Sequence, residues 1–103
     1  MTARTVVSFE EQTGITSTSD SFLVNPNREV SVVCNLTSGS PATGAKVQIT
    51  LDDIEKVLAD TAIWVTSPQG YHTTSAGEKI YRPVTAVRLS VTDGTWQLQV
   101  RQS

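Results

Sequence analysis

The chain has 103 residues, a net charge of −2 and only 17% charged residues, which is below the usual quarter. A chain of this length forms one domain that buries about two-thirds of the surface exposed when it is unfolded. No basic stripe is present, which argues against nucleic acid as a partner, and no apolar run is long enough for a signal peptide or a membrane span. We therefore expect a single domain over residues 1–103, with no membrane partner.

The first thirty residues contain two short strand patterns with a polar stretch between them. Residues 5–10 alternate loosely and predict a first strand, with residues 1–5 as a possible N-terminal arm. Residues 11–20 are polar, which indicates an exposed loop or an extended arm. Residues 22–24 predict a short strand that ends at the turn sequence Asn25–Pro26–Asn27.

Two stronger alternating patterns follow at residues 28–36 and 45–51. Each places apolar side chains on one face of a strand, because successive side chains in a strand point to opposite faces. The apolar positions are Val30, Val32, Cys34, Leu36, Val47, Ile49 and Leu51. Small residues fill the intervening stretch 37–44, so we expect the two strands to pair as a hairpin or a near-hairpin.

Residues 52–60 interrupt the strand pattern. Ile54, Val57 and Leu58 have helical spacing, and Asp52 or Asp53 could cap a helix start, so we expect one to two helical turns or an irregular loop. Residues 61–67 return to a strand pattern that ends before a predicted turn at residues 68–70. Residues 71–75 predict a short strand, and residues 76–79 predict another turn.

The last twenty residues contain the most regular alternation in the chain. Val87, Leu89 and Val91 precede Asp93–Gly94, and Trp96, Leu98 and Val100 follow it in the same alternating phase. Asp-Gly suits the two positive φ angles of a type I′ turn. We therefore predict an antiparallel hairpin whose apolar face, with Trp96, lies in the core.

Short strands at regular spacing, with turn residues between them, are typical of a sandwich. The predicted fold class is all-β: a small antiparallel β-sandwich, jelly-roll or immunoglobulin-like, of about seven to eight strands with at most one short helical turn.

Residues with catalytic or metal-binding chemistry form no recognisable motif. His72 is the only histidine, and no nucleophile-elbow sequence accompanies it. The acidic residues between positions 52 and 60 lack the ligand order of a calcium loop. Cys34 is the only cysteine and lies in an apolar strand pattern, which predicts a buried, inert thiol. We therefore expect no enzyme, no cofactor and no metal site.

Four aromatic residues, Trp64, Tyr71, Tyr81 and Trp96, are candidates for a sugar-binding platform. Trp96 alternates in phase with core positions, and Trp64 could lie on either face of its strand. Tyr71 and Tyr81 fall near strand ends, where exposed aromatic side chains often mark protein contacts.

Four segments of the chain together resemble small β-sandwich structural proteins from the virions of tailed bacteriophages. They are G-A-K-V-Q-I-T-L-D-D at residues 44–53, A-I-W-V at 62–65, T-T-S-A-G at 73–77, and P-V-T-A-V-R-L-S-V-T-D-G-T-W-Q-L-Q-V at 83–100. The resemblance covers residues 28–101. In this chain the helix-like residues 53–59 replace a short glycine-rich turn.

The resemblance implies a non-enzymatic virion protein, either a capsid decoration (cement) protein or a head fibre, made in the host cytoplasm and found in the virion. Its partners would be phage capsid or other virion proteins and further copies of itself. The alternatives are a carbohydrate-binding module and a tail adaptor or host-recognition component. Extended segments can add to a neighbour's sheet edge. We therefore expect protein contacts at Thr2, Ala3, Arg4, Thr5, Thr13, Ile15, Tyr71 and Tyr81.

Overall fold

The computed structural model describes residues 2–81 and 83–102, which form two packed β-sheets and one short helix. The elements are β1 (Ala3–Thr5), β2 (Phe9–Ile15), β3 (Ser21–Leu23), β4 (Val30–Ser38), β5 (Ala45–Thr50), α1 (Ile54–Leu58), β6 (Val65–His72), β7 (Ala76–Ile80), β8 (Ala86–Val91) and β9 (Thr95–Arg101). The predicted all-β sandwich is confirmed. Within the described ranges it has nine strands, where about seven to eight were expected from the turn spacing.

The strands divide into a five-stranded sheet and a four-stranded sheet. Sheet A has the order β1-β3-β8-β5-β6, and sheet B has the order β2-β9-β4-β7. Strand β1 runs parallel to β3, and the other pairs are antiparallel. The edge strands are therefore β1 and β6 in sheet A, and β2 and β7 in sheet B.

The core lies between the two sheets and is built from the alternating apolar positions. Trp96 is fully buried (0% exposed), as predicted, and Cys34 is buried in the same hydrophobic cluster. Burial raises the pKa of the Cys34 thiol, which disfavours the reactive thiolate. The inward faces of β4, β5, β8 and β9 supply most of the other core side chains.

Neither predicted hairpin forms, because the chain crosses from one sheet to the other at both places. Strand β8 pairs with β3 and β5, whereas β9 pairs with β2 and β4. Strands β4 and β5 likewise lie in different sheets. Two amphipathic strands joined by a turn can bury their apolar faces side by side in one sheet or face to face across a core. Alternation alone does not distinguish these arrangements.

Asp93 joins the two crossing connections. Its Oδ2 accepts hydrogen bonds from the backbone amides of Ala42 (3.0 Å) and Thr43 (3.3 Å), and its Oδ1 accepts one from Gly44. Its carbonyl oxygen accepts a hydrogen bond from Nε1 of Trp96 at 3.0 Å. The Gly44 amide is the main cause of the lowered pKa of the Asp93 carboxyl group. This one residue therefore connects the 39–44 loop, the 92–94 loop and the core.

Gly44 is needed at this junction for a steric reason. It has a φ of 86°, and a Cβ atom added here would overlap the backbone carbonyl of His72. Only glycine permits the loop to approach both Asp93 and the end of β6.

The N-terminal third differs from the prediction in its boundaries. The predicted strand at residues 5–10 is instead the junction between β1 and β2, and much of the predicted loop at 11–20 belongs to β2. Strand β2 is an edge strand in which only Ile15 is buried. A strand with so few buried side chains has the composition of a loop, which explains the error.

Two turns predicted in the 68–79 region are strands in the structure. Residues 67–70 form a bulge inside β6, where they lie opposite Val47 alone, between the pairs Gln48–Thr66 and Lys46–Tyr71. Pro68 is tolerated there because β6 is an edge strand. Residues 76–79 belong to β7, which pairs with β4 at the edge of sheet B.

The predicted helical turn is confirmed as α1. Asp53 occupies the N-cap position but makes no side-chain cap hydrogen bond. Val57 is buried against Leu23 and Ala86 on the outer face of sheet A, the face turned away from sheet B. Asp52 instead accepts a hydrogen bond from the Ile63 amide at 2.6 Å and so holds the two ends of the helical segment together.

Polar side chains link the two sheets at their open edges. On one edge, Arg4 of β1 donates from Nε to Asp20 (2.8 Å) and from Nη1 to the backbone oxygen of Glu11 in β2 (2.9 Å). On the other edge, Nε2 of His72 in β6 lies 2.7 Å from Oε2 of Glu78 in β7.

Replacement of Trp96 by alanine tests the core arrangement. We expect the Trp96→Ala variant to lose about 3–5 kcal/mol of unfolding free energy, because a fully buried indole is removed and a cavity remains. Ile63→Ala, at a position that is 75% exposed, should change it by less than about 0.5 kcal/mol. Chemical denaturation of both variants measures the difference, and equal stabilities would contradict the placement of Trp96.

Replacement of Asp93 by asparagine tests the junction between the loops. The carboxyl pKa is lowered on folding, so its stabilisation is present above the ordinary value of 3.8 and is lost as the pH falls through the folded-state pKa. Asp93→Asn should therefore melt at a lower temperature than the parent at pH 7, and the gap should close in strong acid. Asp53→Asn, which removes no cap hydrogen bond, is the control. If the difference in melting temperature between Asp93→Asn and the parent does not change with pH, the stabilising role of the Asp93 carboxylate is contradicted.

Candidate functional site

The predicted N-terminal contacts lie in or beside the protein's own sheets. Ala3, Arg4 and Thr5 form β1 and pair with β3, and Thr2 is exposed just before them. Thr13 is exposed on β2. Ile15 is a core residue with 3% exposure, so it offers no surface to a partner, and its prediction as a contact is corrected. Its burial follows from the register of β2, where Ile15 pairs with Trp96.

The two tyrosines predicted as contacts are both exposed, Tyr71 by 49% and Tyr81 by 74%, but they belong to different surfaces. Tyr71 lies on the outer face of sheet A. Tyr81 follows β7 and lines a cleft between the two sheets. The structure therefore does not unite the predicted contacts into one site.

The outer face of sheet A carries a cluster that we call the cation–aromatic face. Its members are Lys46, Gln48, Trp64, Tyr71 and Arg88. Residues 45, 47 and 49 of β5 point into the core, so Lys46 and Gln48 point outward. The register pairs Lys46 with Tyr71 on β6 and Gln48 with Arg88 on β8, which brings these side chains to one face.

Each aromatic ring on this face contacts a cation. The guanidinium carbon of Arg88 lies 4.3 Å from the ring centroid of Trp64, and Nζ of Lys46 lies 5.0 Å from that of Tyr71. Nε of Arg88 donates to Oε1 of Gln48 at 2.8 Å, which fixes the guanidinium plane. Burial lowers the pKa of Arg88, and a hydrogen bond with Thr92 is the main cause of the lowered pKa of Tyr71.

The alternating pattern around Trp64 does not decide which face of the strand its ring lies on, but the structure does. Trp64 is half-buried against the small cluster around Val57 on the outer face of sheet A. Trp64 and Tyr71 are seven positions apart, so uninterrupted alternation would place them on opposite faces. The bulge at residues 67–70 resets the alternation and brings both rings to the same face. Pro68 and Gly70 were the sequence signal for this irregularity.

A second surface is an exposed apolar cluster that we call the end patch. Its members are large apolar side chains of the segment 51–65, which contains α1, and they are 50–75% exposed: Leu51, Ile54, Leu58, Ile63 and Val65. Leu51, Ile63 and Val65 line one shallow groove together with Ile49 and Asp52. Contiguous exposed apolar side chains are typical of interaction surfaces. Alternation in β5 predicted that Leu51 faces the core, but β5 ends at Thr50 and Leu51 is exposed.

The third feature is a cleft of ≈ 290 Å³ between the edge strands β6 and β7, lined by Ser67, Glu78, Tyr81 and neighbouring side chains. Glu78 is bonded to His72, and the buried Oγ of Ser67 has no hydrogen-bond partner among the described residues. A serine nucleophile needs a base within hydrogen-bond reach. In this structure Ser67 has no such base bonded to it.

Across residues 2–81 and 83–102, no three acidic, histidine or cysteine side chains are grouped so that they could hold a metal ion. The helix in these ranges is too short to cross a membrane.

No protein family model matches the chain, and no curated protein matches it. Among solved structures, it is similar to a pilus protein of Bacillus endospore appendages, with 13% sequence identity and a TM-score of 0.40 over 92% of this chain and 82% of that one. It is also similar to the CBM22-1 xylan-binding domain of Paenibacillus barcinonensis Xyn10C, with 12% identity and a TM-score of 0.39 over 96% of this chain and 88% of that one.

Proposed function

We propose that the protein is a non-enzymatic structural protein of a phage virion, a capsid decoration or head-fibre protein that binds neighbouring subunits. The observation that carries the proposal is the end patch. Five large aliphatic side chains between residues 51 and 65 are at least half exposed, three of them (Leu51, Ile63 and Val65) line one groove, and the chain carries few charges. Such a surface favours burial against another protein.

The end patch offers a useful amount of binding free energy. Full burial of one Val, Leu or Ile side chain contributes about 1.5–3 kcal/mol, and these residues are still 50–75% exposed. Burial of several of them together would contribute a few kcal/mol before the costs of association are subtracted. Repetition over many identical sites on a particle would multiply the effect.

The end patch is also held in place, which lowers the cost of binding. The bond from the Ile63 amide to Asp52 connects the strand ends on either side of α1, and Val57 anchors the helix to sheet A. A preformed surface loses less conformational entropy on association than a loose one.

The non-enzymatic part of the proposal is supported by the cleft. The Oγ of Ser67 makes no hydrogen bond to His72, so the base that would activate this hydroxyl is not bonded to it. A tail adaptor would use the end patch in the same way.

The proposal predicts that the end patch attaches the protein to its particle. Virions are prepared from the same genome with this gene deleted, and purified protein is added back and separated on a density gradient. Wild-type protein should bind at a fixed copy number and raise the temperature at which the particles release DNA. The Leu51→Ser/Ile63→Ser variant should bind at least tenfold more weakly, the equivalent of about 1.4 kcal/mol.

Val7→Ser is the matched control, because Val7 is 83% exposed and follows β1, the edge strand of sheet A opposite to β6. It should bind like the wild type, and both variants should melt at the parent temperature. Failure of the wild-type protein to bind these particles would overturn the virion role. Equal binding by the double variant would overturn the assignment of the end patch.

A further inference from the structure

The cleft between β6 and β7 has a buried floor and an exposed rim. The floor contains residues that are only 6–7% exposed: Ile49, Glu78 and Ile80. The rim contains exposed residues with long side chains: Gln69, Lys79 and Tyr81. The cavity of ≈ 290 Å³ is close to the volume of the smallest ligand sites, about 300 Å³. The cleft therefore has room for one small ligand.

The bulge in β6 forms one wall of this cleft. Residues 67–70 lie opposite Val47 alone, and Ser67, Pro68 and Gln69 of this bulge line the cavity. A bulge bends its strand and re-aims side chains, and bulges often adjoin functional sites. Both β6 and β7 are edge strands, so within the described ranges no further strand pairs with them across the cleft.

Glu78 presents a half-satisfied carboxylate to the cleft. Its Oε2 lies 2.7 Å from Nε2 of His72, and its Oε1 has no hydrogen-bond partner among the described residues. Of the side-chain polar atoms in those residues, only Oγ of Ser67 is both enclosed and unbonded, so Oε1 of Glu78 is open to solvent. A carboxylate oxygen in a largely apolar floor gains from accepting a hydrogen bond. The cleft therefore favours a ligand that donates one at this position.

The lining of the cleft contains hydrogen-bond acceptors and donors. The Glu78 carboxylate accepts hydrogen bonds, the Lys79 ammonium donates them, and the Gln69 amide does both. A ligand hydroxyl also donates and accepts, whereas an ammonium group only donates and a carboxylate only accepts. A neutral ligand with several hydroxyl groups therefore matches this set better than a cation or an anion does.

Tyr81 adds an aromatic surface at the rim. It is 74% exposed, and none of the cation–aromatic contacts among the described residues involves its ring. Tyr71 differs in this respect, because the Lys46 ammonium already lies over its ring. A sugar ring has an apolar face that can stack on an open aromatic ring.

From this arrangement we infer that the cleft between β6 and β7 binds a neutral saccharide. One sugar hydroxyl donates to Oε1 of Glu78, other hydroxyls bond to Gln69 and Lys79, and the ring stacks on Tyr81. Among the described residues that line the cleft, Glu78 has the one carboxyl group, whereas hydrolysis of a glycosidic bond typically uses two. The cleft therefore binds the sugar without cleaving it. It shares only Ile49 with the groove of the end patch, and the inference does not rest on the proposed function.

The test is titration of the ¹⁵N-labelled protein with three neutral trisaccharides, maltotriose, cellotriose and chitotriose, followed by amide chemical shifts. At least one should bind with a dissociation constant in the millimolar range or tighter, and the shifts should be concentrated at residues 67–69 and 78–81. Glu78→Gln keeps an acceptor for His72 but presents an amide donor to the cleft, so it should weaken binding at least tenfold. Tyr81→Ala should weaken it as much, and its exposed position leaves the fold unaffected.

Two variants on other surfaces are the matched controls. Tyr71→Ala removes an exposed tyrosine from the outer face of sheet A, and Glu29→Gln removes an exposed carboxylate just before β4. Neither residue lines the cleft, so both variants should bind the saccharide like the wild type.

Leu51→Ser/Ile63→Ser should also bind the saccharide normally, which separates this site from the proposed virion contact. Absence of binding by all three trisaccharides would overturn the inference, and so would shifts concentrated outside the cleft or an equal loss in Tyr71→Ala. Binding of n-butylammonium or trigalacturonate in the cleft at least as tightly as the neutral sugars would overturn the assignment of a neutral ligand.

Discussion

The carboxylate of Asp93 accepts hydrogen bonds from three successive backbone amides of the 42–44 loop, while its carbonyl oxygen holds the indole of the fully buried Trp96. Strands β4 and β5, and likewise β8 and β9, cross between the sheets at these loops. The hydrogen bonds of Asp93 therefore fix how β4 and β9 of sheet B are placed relative to β5 and β8 of sheet A. Because β5 also positions Lys46 and Gln48, the geometry of the cation–aromatic face depends on the same junction.

Period-two alternation was sufficient to identify the buried face of the central strands. Val32 and Cys34 in β4, and Trp96 and Leu98 in β9, are in the core as predicted. It was not sufficient to predict pairing, because Asp-Gly supports a tight hairpin turn and a crossing connection equally well when both strands are amphipathic. The side-chain bonds that decide the matter join residues about fifty positions apart, and a single sequence does not reveal them.

The surfaces were less predictable than the core, and for three different reasons. Ile15 was predicted as a contact because its neighbours are polar, yet its register opposite Trp96 buries it. Trp64 and Tyr71 were brought to one face by the bulge in β6, which local composition had indicated as a turn. The end patch depends on where β5 stops and how α1 packs, so its exposed leucines and isoleucines look like core residues in the sequence.

The central claim is that the chain forms two crossing connections held by Asp93, and that this frame presents an apolar end patch and a separate cation–aromatic face. Backbone nuclear Overhauser effects in the isolated protein test it most directly. The account predicts cross-strand contacts between Asn35 and Gln97 in sheet B, and between Gln48 and Arg88 in sheet A. Contacts between Thr92 and Thr95 and between Ser90 and Gln97, the pairs of a hairpin centred on Asp93–Gly94, would contradict it.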